Sequence, residues 1–382
     1  MRILILTSST GGGHNMRAEA LKAWAESNEG KKYNFEVSVH STLESTHPLY
    51  AFGVKLYNFI QKRSPYLHHL YFNYLELVSM HRNKEKILGK NNFKTLIKSY
   101  RPQIILSTHA HLNHGFFSLA REEVKSRLAC VTYCGELSGG YGFSKHWVNP
   151  KADLFIGAVP ETCEAAKQLG FLEKKNWCGG FLLKPDFYKP PLTDKEKDKF
   201  VQNMLGTDSH KFNLILSTGA NSANNHMKFL NAYKNQPSRP EIVALCGFNE
   251  NTHSKISSWA KQFASWQIKP MKYYDNMSTL LQCASAIVAR PGTATTSEAI
   301  LSTCPLIFNT LGGIMPQENI TVKYCQKHGF GKVINRTKQL PVISKNWMSH
   351  PRTIEEEKET MRTLQPKQHP LDILKKLYNL IA

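Results

Sequence analysis

Three short stretches carry residue types suited to holding a phosphate or a sugar. Thr10-Gly11-Gly12-Gly13-His14 lies between an apolar run and a helix-forming one. Consecutive glycines let backbone N–H groups approach an anion closely, and the positive end of the following helix favours negative charge there. The stretch lacks the Gly-Lys-Ser/Thr ending of a Walker loop and the G-x-G-x-x-G spacing of a dinucleotide fingerprint. His14, at its mouth, is of the type that takes a proton from a hydroxyl near neutral pH. A glycine turn with a bystander histidine is the plainer alternative.

Arg290-Pro291-Gly292-Thr293-Ala294-Thr295-Thr296-Ser297-Glu298-Ala299 follows a second apolar run. A Pro-Gly turn, then hydroxyls, presents N–H and O–H donors to phosphate, and a carboxylate one turn into the helix can accept from a ribose diol. Ordinary helix capping accounts for the same residues one by one. Gly312-Gly313-Ile314-Met315-Pro316-Gln317-Glu318-Asn319 repeats the arrangement, with three side chains able to bond sugar hydroxyls. A polar loop explains these as well; function is favoured because three such turns at strand ends would face one cleft.

The elements that position these turns read as a doubly wound α/β fold. Ile3–Leu6 is a short continuous apolar run bounded by glycines, as expected of a strand buried on both faces. Met16 to Trp24 favours a helix, and Phe35-Glu36-Val37-Ser38-Val39 alternates as a strand. Ile104–Leu106, Ala129–Val131 and Leu154–Ile156 continue the series. Leu214–Leu216, Ile242–Leu245, Ala286–Ala289 and Leu306–Phe308 begin it again. Two tandem Rossmann-like domains follow, residues 1–184 and 185–382, with the proline-rich Lys184 to Pro191 as the hinge candidate. Leu371 to Ile381 has helical apolar spacing and reads as a closing helix that could pack back on the first domain.

With 382 residues, 41% hydrophobic and 20% charged, the chain can build sizeable cores, which excludes disordered and collagenous classes. No apolar stretch reaches the roughly 18 residues of a membrane span, and the N-terminal run is too short for a secretory signal. A soluble or peripheral protein is expected. The 8 cysteines show no C-x-x-C pair, so free thiols in a reducing cytoplasm are expected. The net charge is +20, and residues 55–101 alone carry +8 among crowded aromatics.

Thr-Gly-Gly-Gly-His at 10–14, Pro-Gly-Thr-x-x-x-Ser-Glu-Ala at 291–299 and Pro-Gln-Glu-Asn at 316–319 together resemble the diacylglycerol glycosyltransferases. That family comprises the monogalactosyldiacylglycerol synthases and the processive glucosyl-diacylglycerol synthases, relatives of the peptidoglycan lipid-intermediate N-acetylglucosaminyltransferase. Pro102 to His109, with Leu112-Asn113-His114, is similar to that family's second N-domain strand and loop. The resemblance runs from Met1 to about Ile334. It implies the GT-B fold and inverting transfer of a hexose from a UDP-sugar to a lipid such as diacylglycerol at the cytoplasmic membrane face, with no metal and no other cofactor. The seven aspartates form no D-x-D pair, so leaving-group charge would be met by N–H groups, dipoles and side-chain donors.

By the same resemblance, Gly13, Gly219, Ala220, Asn221 and Ser222 would lie near the diphosphate with Pro291, Gly292, Thr293 and Thr295. Glu298 would bind the ribose, and Tyr273 and Tyr274 match the segment that contacts uracil. Gln317, Glu318 and Asn319 would hold the hexose, and His14 is the base candidate. Where the family usually reads Val-Thr-Asp, this chain has Val131-Thr132-Tyr133-Cys134-Gly135-Glu136, so Glu136, or a reliance on His14 and His109, would stand in for the missing carboxylate.

The basic aromatic stretch falls in the family's acceptor and membrane-contact region. Phe52, Leu56 and Phe59, then Leu67, Leu70, Tyr71, Tyr74 and Val78, recur at helical spacing, and Lys55, Lys62 and Arg63 could meet anionic headgroups. Two core helices with solvated charges are the bland alternative. Other acceptors, such as a polyprenyl-linked sugar, stay open, as does a UDP-sugar epimerase of the same fold. A non-enzymatic module binding nucleic acid or anionic membrane has the same composition, although no nucleic-acid motif accompanies it.

Overall fold

The computed structural model describes residues 1–79, 81–124, 126–206, 210–217 and 225–382, and only the backbone of Lys62, Arg63 and Pro65. Two six-stranded parallel sheets organise it. The first comprises β1 (Arg2–Thr7), β2 (Glu36–Ser41), β3 (Ile104–Ser107), β4 (Ala129–Cys134), β5 (Leu154–Gly157) and β6 (Asn176–Cys178), in the order β2-β1-β3-β4-β5-β6. The second comprises β7 (Asn213–Ser217), β8 (Glu241–Leu245), β9 (Ile268–Met271), β10 (Ala286–Ala289), β11 (Leu306–Asn309) and β12 (Lys332–Ile334), in the order β12-β11-β10-β7-β8-β9.

The apolar runs form central strands because helices cover both faces of each sheet. Ile3 and Ile5 point to one face with Leu21 and Ile104, while Leu4 and Leu6 join Ile105 and Phe116 on the other. Each such side chain contributes about 1.5–3 kcal/mol when fully buried. The second sheet repeats this, with Ile215 and Ile287 on one face and Leu214 and Val288 on the other. Leu137, Val159 and Phe181 pack into the second sheet's core, so apolar packing is continuous between the halves.

Of the four outer strands, β6, β9 and β12 escape the sequence reading. They are short and only partly buried, so they carry no apolar run. The first helix, Gly13–Glu26, is longer than its apolar pattern. The last, Pro370–Asn379, buries Ile373, Leu374 and Leu377 against Ile3, Ile5 and Trp24 of the first sheet's core. All eight cysteines are free thiols. Among the described residues no helix is long and apolar enough to cross a membrane.

Candidate active site

A cavity of about 320 Å³ is lined by the turns that follow β1, β3, β4, β10 and β11, together with Ser217 at the end of β7. In each sheet the strand order reverses at one place, between β1 and β3 in the first and between β7 and β10 in the second. Ligands of open parallel sheets bind outside the carboxyl ends of the strands at such points. Here both reversal points open on the same cavity.

The turn after β1 is built by its side chains. Gly11 and Gly12 have φ of 71° and 85°, a region costly for other residues. Glu44 accepts the Ser9 N–H at 2.6 Å, and Asn58 accepts the Gly11 N–H at 3.1 Å while donating to the Ser9 carbonyl at 3.0 Å. The helix starting at Gly13 has no side-chain cap, which leaves its first N–H groups available to an anion.

His14 lines the cavity and donates from Nδ1 to the Thr108 carbonyl at 2.7 Å. A carbonyl only accepts, so the proton sits on Nδ1 and Nε2 is the ring's acceptor. Burial, reinforced by the Arg17 charge and opposed by the Thr108 bond, pushes its pKa down to about 4. It is therefore neutral at pH 7. His109 sits against it with ring centroids 4.6 Å apart. Its Nδ1 accepts the His111 N–H at 3.2 Å and its Nε2 meets the Thr10 hydroxyl at 3.0 Å. Both nitrogens are engaged, so His109 is suited to holding Thr10 rather than to moving a proton.

Glu136, just after β4, is buried in the cavity wall, and its Oε2 has no hydrogen-bond partner among the described residues. Burial pushes its pKa up to about 7 despite the Arg17 charge. Arg17, one turn beyond His14 on the first helix, is absent from the sequence reading. It bonds through Nη2 to the Gly135 carbonyl at 2.9 Å and to Thr293 Oγ1 at 2.6 Å, joining the two halves across the cavity. Its i, i+3 relation to His14 was the available signal, since residues at that spacing share a helix face.

Pro291, Gly292, Thr293 and Thr295 line the cavity at the start of the helix Thr293–Leu301. Gln317 also lines it, with a buried Oε1 that has no hydrogen-bond partner among the described residues. Glu318 is differently used from the hexose contact that the resemblance implies. Both its oxygens are held by Arg290, and Oε2 also accepts the Met315 N–H at 2.9 Å. It fixes the turn while lining the cavity beside Gln317. Buried atoms of Gln61, His81, Glu136 and Gln317, all cavity residues, have no hydrogen-bond partner among the described residues and mark polar groups a ligand would satisfy.

Glu298, Asn319, Tyr273 and Tyr274 do not line this cavity. Glu298 is buried behind the wall, where burial raises its pKa to about 7 against the Lys184 and Arg17 charges. Tyr273 stacks on Phe248 outside, with centroids 4.8 Å apart. Gly219, Ala220, Asn221 and Ser222 lie outside the described residues. Among those described, no group of three or more His, Cys, Asp or Glu side chains is arranged to hold a metal ion.

The basic aromatic stretch forms the helices Pro48–Arg63 and His68–Val78. Reading them as core helices fails. Tyr50, Val54 and Phe72 face inward, whereas Phe52 is 63% exposed, Phe59 59%, Leu70 71% and Leu77 81%. Two outward apolar stripes result, with Lys55 exposed between Phe52 and Phe59. Tyr71 instead lines the cavity, and Lys62 and Arg63 fall among the residues described by backbone alone. His69 ties the second of these helices to the turn after β11 by donating from Nε2 to the Ile314 carbonyl at 3.0 Å.

Comparison with known proteins follows the same lines. Residues 14–176 match the monogalactosyldiacylglycerol synthase family model. Over 363 residues the chain is 24% identical to the chloroplastic monogalactosyldiacylglycerol synthase of Spinacia oleracea, covering 91% of this chain and 66% of that protein. It is 23% identical to the processive diacylglycerol beta-glucosyltransferase of Bacillus pumilus, covering 98% and 93%. The chain thus spans just under two thirds of the length of several plant relatives it matches. Among solved structures it resembles MurG of Acinetobacter baumannii, with a TM-score of 0.58 at 13% identity over 100% of this chain and 98% of that one. It also resembles Anabaena Alr3699/HepE in complex with UDP, with a TM-score of 0.56 at 14% identity over 100% and 99%. The chain has the GT-B fold, matches the monogalactosyldiacylglycerol synthase family model over residues 14–176, and is similar over most of its length to monogalactosyldiacylglycerol synthases and processive diacylglycerol glucosyltransferases.

Proposed function

We propose that this protein transfers a hexose from a UDP-sugar to the hydroxyl of a lipid such as diacylglycerol, inverting the anomeric carbon, at the cytoplasmic face of a membrane. The observation that carries the reading is the convergence of both sheet-reversal points on one cavity, with the His14 acceptor on one side and the helix start at Thr293 on the other. The named activities of the spinach and Bacillus relatives support the acceptor class, and the UDP in the Anabaena complex supports the donor class.

In this reading the acceptor oxygen attacks the anomeric carbon as its proton passes to His14 Nε2. The bond from that carbon to the diphosphate oxygen breaks, and its electron pair leaves with UDP. The neutral state of His14 keeps it ready to accept, and its Nδ1 bond to Thr108 fixes the ring. N–H groups at the starts of the helices Gly13–Glu26 and Thr293–Leu301 meet the developing charge without a metal ion. Gln317 contacts the hexose, and Glu136 orients the acceptor hydroxyl. The exposed stripes of the hairpin rest on an anionic lipid surface, bringing the cavity to its acceptor.

Replacing His14 by Ala tests the assignment of the base. Turnover is expected to fall by roughly 100- to 10,000-fold, while UDP affinity holds. Undiminished turnover would move the base elsewhere.

A further inference from the structure

We propose that Arg17 grips the departing diphosphate from the first domain, so that the leaving group is held from both sides of the cleft. The inference rests on the UDP-sugar reading above and adds to it a residue that the sequence motifs do not contain.

Arg17 is 4% exposed and lines the cavity. Its hydrogen bonds among the described residues end on neutral oxygens, the Gly135 carbonyl and the Thr293 hydroxyl, and Nη2 makes both. Nη1 and Nε therefore keep donors in hand. A Cβ placed on Gly13 would lie 3.6 Å from Nη1, so that edge of the fork faces the turn where the first helix begins. A Cβ on Gly135 would lie 2.0 Å from Nε and 2.1 Å from Cζ, so the guanidinium lies flat against a residue that must lack a side chain.

A guanidinium this deep pays a desolvation cost that neutral oxygens offset only in part. Its neighbour Glu136 offsets this only in part: the two charges attract, but burial favours the neutral carboxyl, which makes no hydrogen bond to Arg17 among the described residues. The position selects an anion. Two oxygens of a phosphoryl group match the planar fork, and both helix starts that border the cavity direct N–H groups to the same region. In the transfer step the electron pair of the broken bond ends on the diphosphate, and Arg17 is the fixed cation beside it. Because its other partner is Thr293, donor binding also fastens the two halves together.

The rival role is a strut between Gly135 and Thr293 with no part in binding. Calorimetric titration with UDP and with uridine separates the two. In Arg17→Gln, UDP affinity is expected to fall by roughly 10- to 100-fold with uridine affinity unchanged, the loss of a charged hydrogen-bonded contact. Arg17→Lys keeps the charge without the fork and is expected to lie between, and it carries the comparison if the Gln variant does not fold. Gly135→Ala, whose new methyl displaces the guanidinium without removing it, should reproduce the Gln variant. Equal loss of UDP and uridine, or no loss of either, overturns the assignment. Wild-type protein that binds UDP no better than uridine overturns the donor reading beneath it.

Discussion

Arg290 holds both carboxylate oxygens of Glu318, with Nε 3.1 Å from Oε1 and Nη2 2.5 Å from Oε2. The pair spans the turn after β10 and the turn after β11, the two segments that present Thr293 and Gln317 to the cavity. Only 12% of the Arg290 side chain and 4% of that of Glu318 is exposed, so each charge depends on the other. Glu318→Ala is expected to destabilise the protein by about 3–5 kcal/mol, because it strands a buried guanidinium. Joint replacement, Arg290→Met with Glu318→Leu, should cost less than the single change. Denaturant midpoints of the three variants check this.

Much of this architecture is legible in the sequence, and the gaps have physical causes. Ile3–Leu6 followed by three glycines could be read as a buried strand and a ligand turn because a parallel strand covered on both faces leaves an uninterrupted apolar run. The strands β6, β9 and β12 could not, since they are short, only partly buried and carry no apolar run. Arg17 looks like any solvated helix charge until folding sets Gly135 and Thr293 against it. Glu318 beside Gln317 suggests two sugar contacts, and only the structure shows that Arg290 already holds the Glu318 carboxylate. The hairpin's helical period is visible, but Tyr50, Val54 and Tyr57 alternate with Phe52, Leu56 and Phe59, so both faces are apolar and the sequence does not tell inside from outside.

Activity should persist well below the pH at which an ordinary histidine protonates. Burial holds His14 near a pKa of about 4 rather than 6.5, so the accepting form exists above pH 4 and the acid limb of kcat should fall there. The stability effect has the same sign. Between the unfolded value and the folded one the unfolded state binds the extra proton, so His14 stabilises the fold less as pH falls through that window. An acid limb near 6.5 would mean that His14 is solvated in the working enzyme.

Glu136 should change charge near pH 7. Once ionised it competes with the donor diphosphate for Arg17, so UDP affinity is expected to weaken as pH rises through about 7, and Glu136→Gln to remove that inflection. Titration of UDP at several pH values reads it. Turnover that rises through pH 7 and loses the rise in Glu136→Gln would instead make this carboxylate the base.

Gln317 lines the cavity with an amide oxygen that has no partner among the described residues. Gln317→Ala should raise KM for the sugar nucleotide by roughly 10-fold, the worth of about one hydrogen bond, and leave UDP itself bound as before. A matching loss for UDP would relocate the hexose.

The two exposed stripes predict membrane affinity that depends on both apolar and basic residues. The double change Phe52→Ser with Phe59→Ser should lower sedimentation with anionic vesicles, and salt should weaken binding of the unaltered protein. Unfolding midpoints should stay close to wild type, because these side chains are outward.

Transfer of sugar into lipid is the most direct test. Purified protein would be incubated with radiolabelled UDP-hexoses and vesicles of diacylglycerol plus anionic lipid, and the organic phase counted. Label entering that phase from one donor, and lost in His14→Ala, is the expected result. An unlabelled organic phase from protein that binds UDP would contradict the lipid acceptor, and conversion of the sugar nucleotide without vesicles would point to an epimerase.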